Sequence, residues 1–260
     1  MPRLKLTIEY AGTRYSGWQI QKNARTVQGE IDRAVRTVTG RKDFELYGSG
    51  RTDAGVHAAG QVAHLDVSTT LPPESLRRRL NDELPADINI LSAVQVPHRF
   101  HARHHASARR YVYQISRRRT AFAKAYVWWV KEPLDVQRMR AAVTAFVGMR
   151  DFRAFTAGAA RDNDDEGEAD RLSTLVLVDR LDIAEDGALI LVGIEGSHFL
   201  WKMVRRIVGA LVEIGRGGAE RVVLAAPAKY TAPASGLFLD RVYYGNDVRE
   251  TTVRAITPIA

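Results

Sequence analysis

The chain has no cysteine. That removes disulfides, thiolate zinc sites, iron–sulfur clusters and thiol nucleophiles, so any nucleophile must be an oxygen or a nitrogen. Long apolar runs are missing as well. No stretch approaches the ~20 residues of a membrane span, and the opening MPRLKLTIEY alternates like a strand where a secretion signal would carry an apolar core. A cytoplasmic protein without a membrane partner is expected. Acidic residues are absent from positions 97–119, a segment holding seven arginines and the four histidines His98, His101, His104 and His105.

Of the 260 residues, 45% are hydrophobic, enough to bury one large core or two ordinary ones. The 38 Lys and Arg exceed the 30 Asp and Glu, for a formal charge of +8 and a pI near 9.9. Such a balance suits a polyanionic partner, and it also suits a merely basic soluble protein. The histidine spacings at 98–105 could suggest a metal, but no carboxylate accompanies them and the surrounding guanidiniums repel cations. Phosphate contact and a solvated linker are both open readings of this segment.

Apolar periodicity sets the organisation. RLKLTIEYA reads as a strand, and TVQGEIDRAVRTVTG places Val27, Ile31, Val35 and Val38 on one helical stripe that Gly40 ends. Strands are expected in DFELYGSG, QVAHLDV and INILSAVQV, with a helix in PPESLRRRLNDELP carrying Leu76, Leu80 and Leu84 one turn apart. The theme then repeats: RRYVYQIS and AYVWWV as strands, LDVQRMRAAVTAFVG as a helix, a hairpin about Asp186 and Gly187, a long helix in FLWKMVRRIVGALVEIG and a last strand in GLFLDRVYY. The fold class expected is α+β, with one half at 1–105 and a similar half at 106–260.

Three places could carry chemistry. Tyr111 and Tyr113 follow the basic segment on a strand, one expected to face the core and the other to stack on a base. On the long helix, Lys202, Arg206 and Glu213 form a polar side, so Arg206 is expected in solvent. Arg205 instead has Trp201, Val208 and Gly209 as helical neighbours. Either it lines a pocket opposite an acid, or its stem packs on Trp201 with an exposed head. The third place is GSGRTDAGVHAAGQ, residues 48–61, where four glycines permit sharp turns and close approach of a ligand or another strand. Asp53 would stand at an accessible bend beside Arg51, as a turn-former or as an ionised nucleophile or base.

Taken together, GRTDAGVHA at 50–58, FHAR at 100–103, ARRYVY at 108–113, FLWKMVRRIVG at 199–209 and APASGLFL at 232–239 resemble the tRNA pseudouridine synthase A family. The resemblance runs in order from EYAGTRYSGWQ to the final strand. It implies two ferredoxin-like halves whose sheets join across a central basic cleft, with helices packed on one face, in a homodimer that acts on uridine 38, 39 or 40 of the tRNA anticodon stem-loop with neither metal nor cofactor. It also implies that Asp53 is the catalytic carboxylate, that Arg51 helps position the site, that Tyr111 stacks beneath the target base, that Arg205 pairs with Asp53 and that Leu237 lines the pocket. Arg103, Arg109 and Arg110 are the candidate RNA contacts from the basic segment. Two stretches depart from the family pattern: ARDNDDEGEAD at 160–170 carries six acids, which argues against RNA contact by that loop, and His104 stands where relatives often have an aromatic residue.

Two other classes fit parts of this pattern. A noncatalytic RNA-binding protein would share the basic segment but has no use for Asp53, Arg51, Tyr111 and Arg205 together. A metal-dependent nuclease would need the clustered carboxylates that magnesium takes, and these are missing.

Overall fold

A computed structural model describes residues 1–156 and 173–259; the acidic segment at 160–170 therefore lies outside the described residues. The chain divides into two compact units, one comprising Met1–Ser107 with Phe238–Arg249, the other Ala108–Leu237 with Glu250–Ala260.

The first unit opens with β1 (Arg3–Tyr10), whose Leu4, Leu6, Ile8 and Tyr10 alternate into the core, as a half-buried strand requires. Helix α1 (Val27–Thr39) begins where the Thr26 hydroxyl accepts from the Gly29 amide and ends at Gly40 in the left-handed conformation, the stop that its sequence predicts. It buries Val27, Ile31, Ala34 and Val35. β2 (Glu45–Gly48) and β3 (His57–Asp66) pair antiparallel. After α2 (Pro73–Glu83), which buries Leu76 and Leu80, β4 (Ile88–Val96) pairs with β1, and β1 with β3. Arg3 clamps the sheet to the following segment: its guanidinium grips Asp66 through two bonds of 2.7 and 2.5 Å and donates to the Phe100 carbonyl at 2.6 Å. That paired guanidinium, acting against the cost of burial, holds the Asp66 carboxyl below its ordinary range.

In the second unit β5 (Ala106–Ser116) pairs antiparallel with β9 (Leu189–Gly196), β9 with β8 (Leu175–Asp186), and β8 with β7 (Gly148–Asp151). The strand expected at 125–130 shrinks to β6 (Trp128–Trp129), which runs parallel to the end of β5. Helices α3 (Val136–Ala142), α4 (Met203–Gly215) and α5 (Glu220–Ala225) complete the unit. The helix expected from 199 starts only at Met203, because Lys202 takes the left-handed conformation at φ 56° and breaks the turn before it.

The last strand, β10 (Leu237–Tyr244), runs parallel to β3 in the first unit, with Phe238 opposite His57 and Leu239 opposite Ala58. The C-terminal residues then cover one face of the second unit's sheet. Gln114 accepts from the Ile256 and Thr257 amides at 2.7 and 3.1 Å, and Val253 packs against the bare backbone of Gly193. Among the described residues, no helix is long and apolar enough to cross a membrane.

Candidate active site

In the first unit, the sequence around Asp53 forms the loop from the end of β2 to the start of β3. It is held at almost every residue. The Ser49 amide donates to the Val62 carbonyl at 2.7 Å, and the Ser49 hydroxyl to the Gln61 carboxamide oxygen at 2.7 Å; the Gln61 nitrogen donates to the Gly50 carbonyl at 3.0 Å. Gln61 is wholly buried, so an unpaired amide there would be costly and the loop's course is tightly specified. The Thr52 hydroxyl meets the Tyr10 phenol at 2.8 Å, and the Thr52 carbonyl accepts from the Trp18 amide at 3.1 Å. On the other side of Asp53, the Gly55 amide donates to the Tyr15 carbonyl at 3.3 Å, while the Val56 amide closes a turn on the Asp53 carbonyl at 3.1 Å. The His57 Nδ1 accepts from the Gly12 amide at 3.0 Å.

Asp53 is thus a half-buried carboxylate on a loop whose flanking residues are fixed by segment 10–18. Arg51, two residues earlier, is exposed. Two of the motif's glycines accommodate the protein's own chain: a Cβ on Gly48 would lie 2.6 Å from the Trp18 ring nitrogen, and one on Gly60 2.5 Å from the Asp240 carbonyl oxygen. The sequence allows for such approaches but does not identify Trp18 and Asp240, which make them, nor Tyr10 and Gln61, which hold the loop. Tyr10 and Trp18 lie in the motif EYAGTRYSGWQ.

In the second unit, Tyr111 and Tyr113 are opposite Ile194 and Val192 in an unbroken register. They therefore share one face of β5, as residues two apart must, which corrects the expectation that they point to opposite sides. Depth distinguishes them. Tyr113 is fully buried and its hydroxyl donates to the Pro233 carbonyl at 2.8 Å; burial pushes its ionisation well above the ordinary range and outweighs the Arg205 charge. Tyr111 is half-buried, edge-on to Phe199 with ring centroids 5.3 Å apart.

Arg205 is half-buried, and its Nε donates to the Ala232 carbonyl at 2.8 Å. The ring of Trp201 is covered instead by Lys202, 3.9 Å from its centroid, and by Arg206 at 5.3 Å. Arg206 is not in solvent: it is 5% exposed and donates to the Phe155 carbonyl at 2.5 Å. A helical wheel carries no information about the segments that lie over it, here Phe155. Leu237 is buried at the start of β10.

The basic segment also divides. Arg103 donates to the Tyr47 hydroxyl at 3.4 Å and Arg109 to the Ser197 carbonyl at 2.8 Å. Arg110 does not fit its expected role as a phosphate contact. It is 4% exposed, and its guanidinium donates to the backbone carbonyls of Glu250 and Thr252, so it fastens the C-terminal residues to β5. His101 stays neutral at pH 7, its pKa pushed down to about 4 mainly by burial and then by His104. His64, on β3, is likewise lowered to about 4 by burial and then by Arg3. Its Nδ1 accepts from the Ala102 amide at 3.2 Å. Among the described residues no three His, Asp or Glu side chains gather as a metal site.

Residues 6–105 and 142–245 match the family described as tRNA pseudouridine synthase; Tyr111 falls between the two matched stretches. A tRNA pseudouridine synthase A of Citrifermentans bemidjiense is 40% identical over 257 residues, covering 94% of this chain and 98% of that protein. The proteins of the same name from Halalkalibacterium halodurans and Rhodopseudomonas palustris are 38% and 41% identical, over 93% and 94% of this chain and 92% and 100% of their own lengths. A mixed α+β chain with these motifs, so matched, is an enzyme of the isomerase class. It belongs to the tRNA pseudouridine synthase family.

Proposed function

We propose that the chain converts uridine to pseudouridine at position 38, 39 and/or 40 of the tRNA anticodon stem-loop, with Asp53 as the catalytic carboxylate. The name shared by its relatives supports tRNA as the substrate. The observation that carries the role of Asp53 is its loop, in which Thr52 and Gly55 on either side are bonded to Trp18, Tyr10 and Tyr15. A turn-former needs no such fixing, whereas a reacting group held within a fraction of an ångström does.

The reaction breaks the C1′–N1 bond, turns the uracil over and joins C1′ to C5. The C5 proton leaves and N1 gains one, so every heavy atom is retained and no redox partner is needed. Asp53 begins it by attack on the sugar or by removal of the 2′ proton. The target must first leave its stack, at about a few kcal/mol, and a ring stacked beneath it returns about 1–3 kcal/mol. Tyr111 supplies that ring. Arg51 helps position the loop, Arg205 is the ion-pair partner of Asp53, Leu237 lines the base pocket, and Arg103 and Arg109 serve the RNA backbone. The two ferredoxin-like halves with sheets joined across a basic cleft, the homodimer, the cytoplasmic location and the lack of a cofactor belong to the same reading.

The test is tritium release from tRNA labelled at C5 of uridine, followed by mapping of pseudouridine in tRNA from cells with and without the gene. Release from the anticodon stem-loop at those positions is expected. RNA binding without release would make the chain a noncatalytic binder.

A further inference from the structure

The arginine-rich run is exposed at Arg99 and again at its far end. Arg110 is buried on backbone carbonyls, Arg109 reaches the Ser197 carbonyl, and Arg117 pairs with Glu185. Arg118 and Arg119 are exposed and open the connection between β5 and β6, which continues through exposed Phe122 and Lys124 to Trp129 and Lys131. From Ser116 to Lys131 there is no acidic residue. Phe122 is 99% exposed and Trp129 42%, with the Arg119 guanidinium 5.9 Å from the Trp129 ring centroid.

A single exposed aromatic residue means little. Two of them among exposed cations form the combination that holds single-stranded nucleic acid, where charge follows the backbone and rings stack on bases. The connection is also built to hold its tip in place. Where it leaves β5, the Arg117 amide donates to the Ala188 carbonyl at 2.9 Å and the Ser116 hydroxyl to the Arg118 carbonyl at 2.6 Å. Where it returns, the Tyr126 amide closes a turn on the Ala123 carbonyl at 2.8 Å, Gln114 donates to the Tyr126 carbonyl at 3.0 Å, and the Val130 amide to the Ser116 carbonyl at 3.1 Å. Phe122 is thus presented between two anchored shoulders.

We propose that the β5–β6 connection is a second RNA-contacting element, in which Arg118, Arg119 and Lys124 engage phosphates and Phe122 stacks on an unpaired base. This rests on the reading that the substrate is tRNA. Ser116, the last residue of β5, lies five residues beyond Tyr111, about 17 Å at the rise of a β-strand. The element therefore grips nucleotides away from the one being converted, and it acts on affinity and not on the chemical step.

The experiment compares the full chain with Phe122→Ala, Phe122→Trp and Arg118→Glu/Arg119→Glu, using transcribed tRNA, in binding across a salt series and in steady-state turnover. Phe122→Ala is expected to raise Kd and KM about tenfold with kcat unchanged, and Phe122→Trp to restore both. The double charge reversal should also lower the slope of log Kd against log salt by about one to two, since each phosphate contact contributes about one. Parental Kd, KM and slope in all variants, with an active parent, overturn the proposal. So does a change confined to self-association of the free protein, which would make this a protein-binding surface. A parent that neither binds nor converts tRNA defeats the substrate reading itself, and this element with it.

Discussion

The amide of Trp18 donates to the carbonyl of Thr52 at 3.1 Å, fastening the residue just before Asp53 to a segment more than thirty positions earlier in the chain. Gly17, at φ 95°, makes that approach possible: a Cβ there would stand 2.5 Å from the same carbonyl oxygen. The carboxylate owes its placement to this grip and to the Thr52–Tyr10 and Gly55–Tyr15 bonds around it, so positioning and chemistry can be disturbed separately.

Asp53→Asn keeps the shape of the side chain and deletes its charge. Turnover, read as tritium release, should fall by about 10⁴-fold or more, the scale seen when a nucleophile is removed, while the urea midpoint and tRNA affinity stay near the parent's. Residual turnover well above background would remove Asp53 from its role.

Gly17→Ala makes the complementary disturbance. The strained backbone should cost about 1–3 kcal/mol of stability, and the clash pushes Thr52 and with it Asp53 off position. A shift of about 1 Å at a reacting group costs on the order of 10²-fold in rate, so kcat should fall in a variant that still folds and binds tRNA. Unchanged kcat would mean that the grip on Thr52 serves folding alone.

Local signals made the scaffold legible. Leu4, Leu6, Ile8 and Tyr10 announce β1 by alternation, and Gly40 marks the end of α1. Asp53 was recognisable from its motif, but its anchoring was not, because Tyr10, Tyr15 and Trp18 reach it through tertiary contacts that leave no periodic trace. The start of α4 was misjudged because Phe199, Leu200 and Trp201 extend the apolar pattern, whereas the break at Lys202 is a backbone conformation. Arg110 and Arg206 were both read as surface cations. Each is covered by a distant segment, the C-terminal residues over one and Phe155 over the other, and a charge count cannot anticipate a carbonyl supplied from elsewhere.

That correction changes what adjacent arginines should do. Arg206→Ala leaves the buried Phe155 carbonyl without its donor and should cost about 1–3 kcal/mol in urea denaturation. Arg205→Ala should be milder on stability and far more damaging to turnover, as befits the proposed partner of Asp53. Equal, mild effects of the two replacements on both measures would contradict the assignment.

Acid sensitivity should trace to His64. Its folded pKa of about 4 lies below the ordinary 6.5, so between these values the unfolded chain takes up a proton that the native chain refuses, and stability falls with falling pH. The contribution is complete above about pH 6.5 and lost as pH drops toward 4; His101 adds to the same window. The Arg3–Asp66 pair has a linkage of the same sign, in a more acidic window. Its lowered carboxyl contributes stability above the ordinary 3.8 and loses it only in stronger acid. Urea midpoints measured from pH 7.5 down to 4.5 should therefore decline in the parent and decline less in His64→Gln, which retains an acceptor for the Ala102 amide. Parallel curves would remove His64 as the titrating group.

Tyr111 offers the sharpest separation, because its ring and its hydroxyl can be removed one at a time. Once C1′ has joined C5, the C5 proton must leave, and a phenol beside the base can accept it directly or through water. Tyr113 is not available for this: it is sealed in the core with its hydroxyl on the Pro233 carbonyl, and burial holds its proton in place. Tyr111, on the same face but only half-buried, keeps an accessible edge. Tyr111→Phe should therefore preserve tRNA affinity and lower kcat by about 10²- to 10⁴-fold, the range for a general acid or base. Tyr111→Ala should lose the stacking platform as well and weaken binding by about 1–3 kcal/mol. A Phe variant that turns over like the parent while the Ala variant fails would make Tyr111 a stacking residue only, and normal turnover in both would withdraw the site assignment on β5.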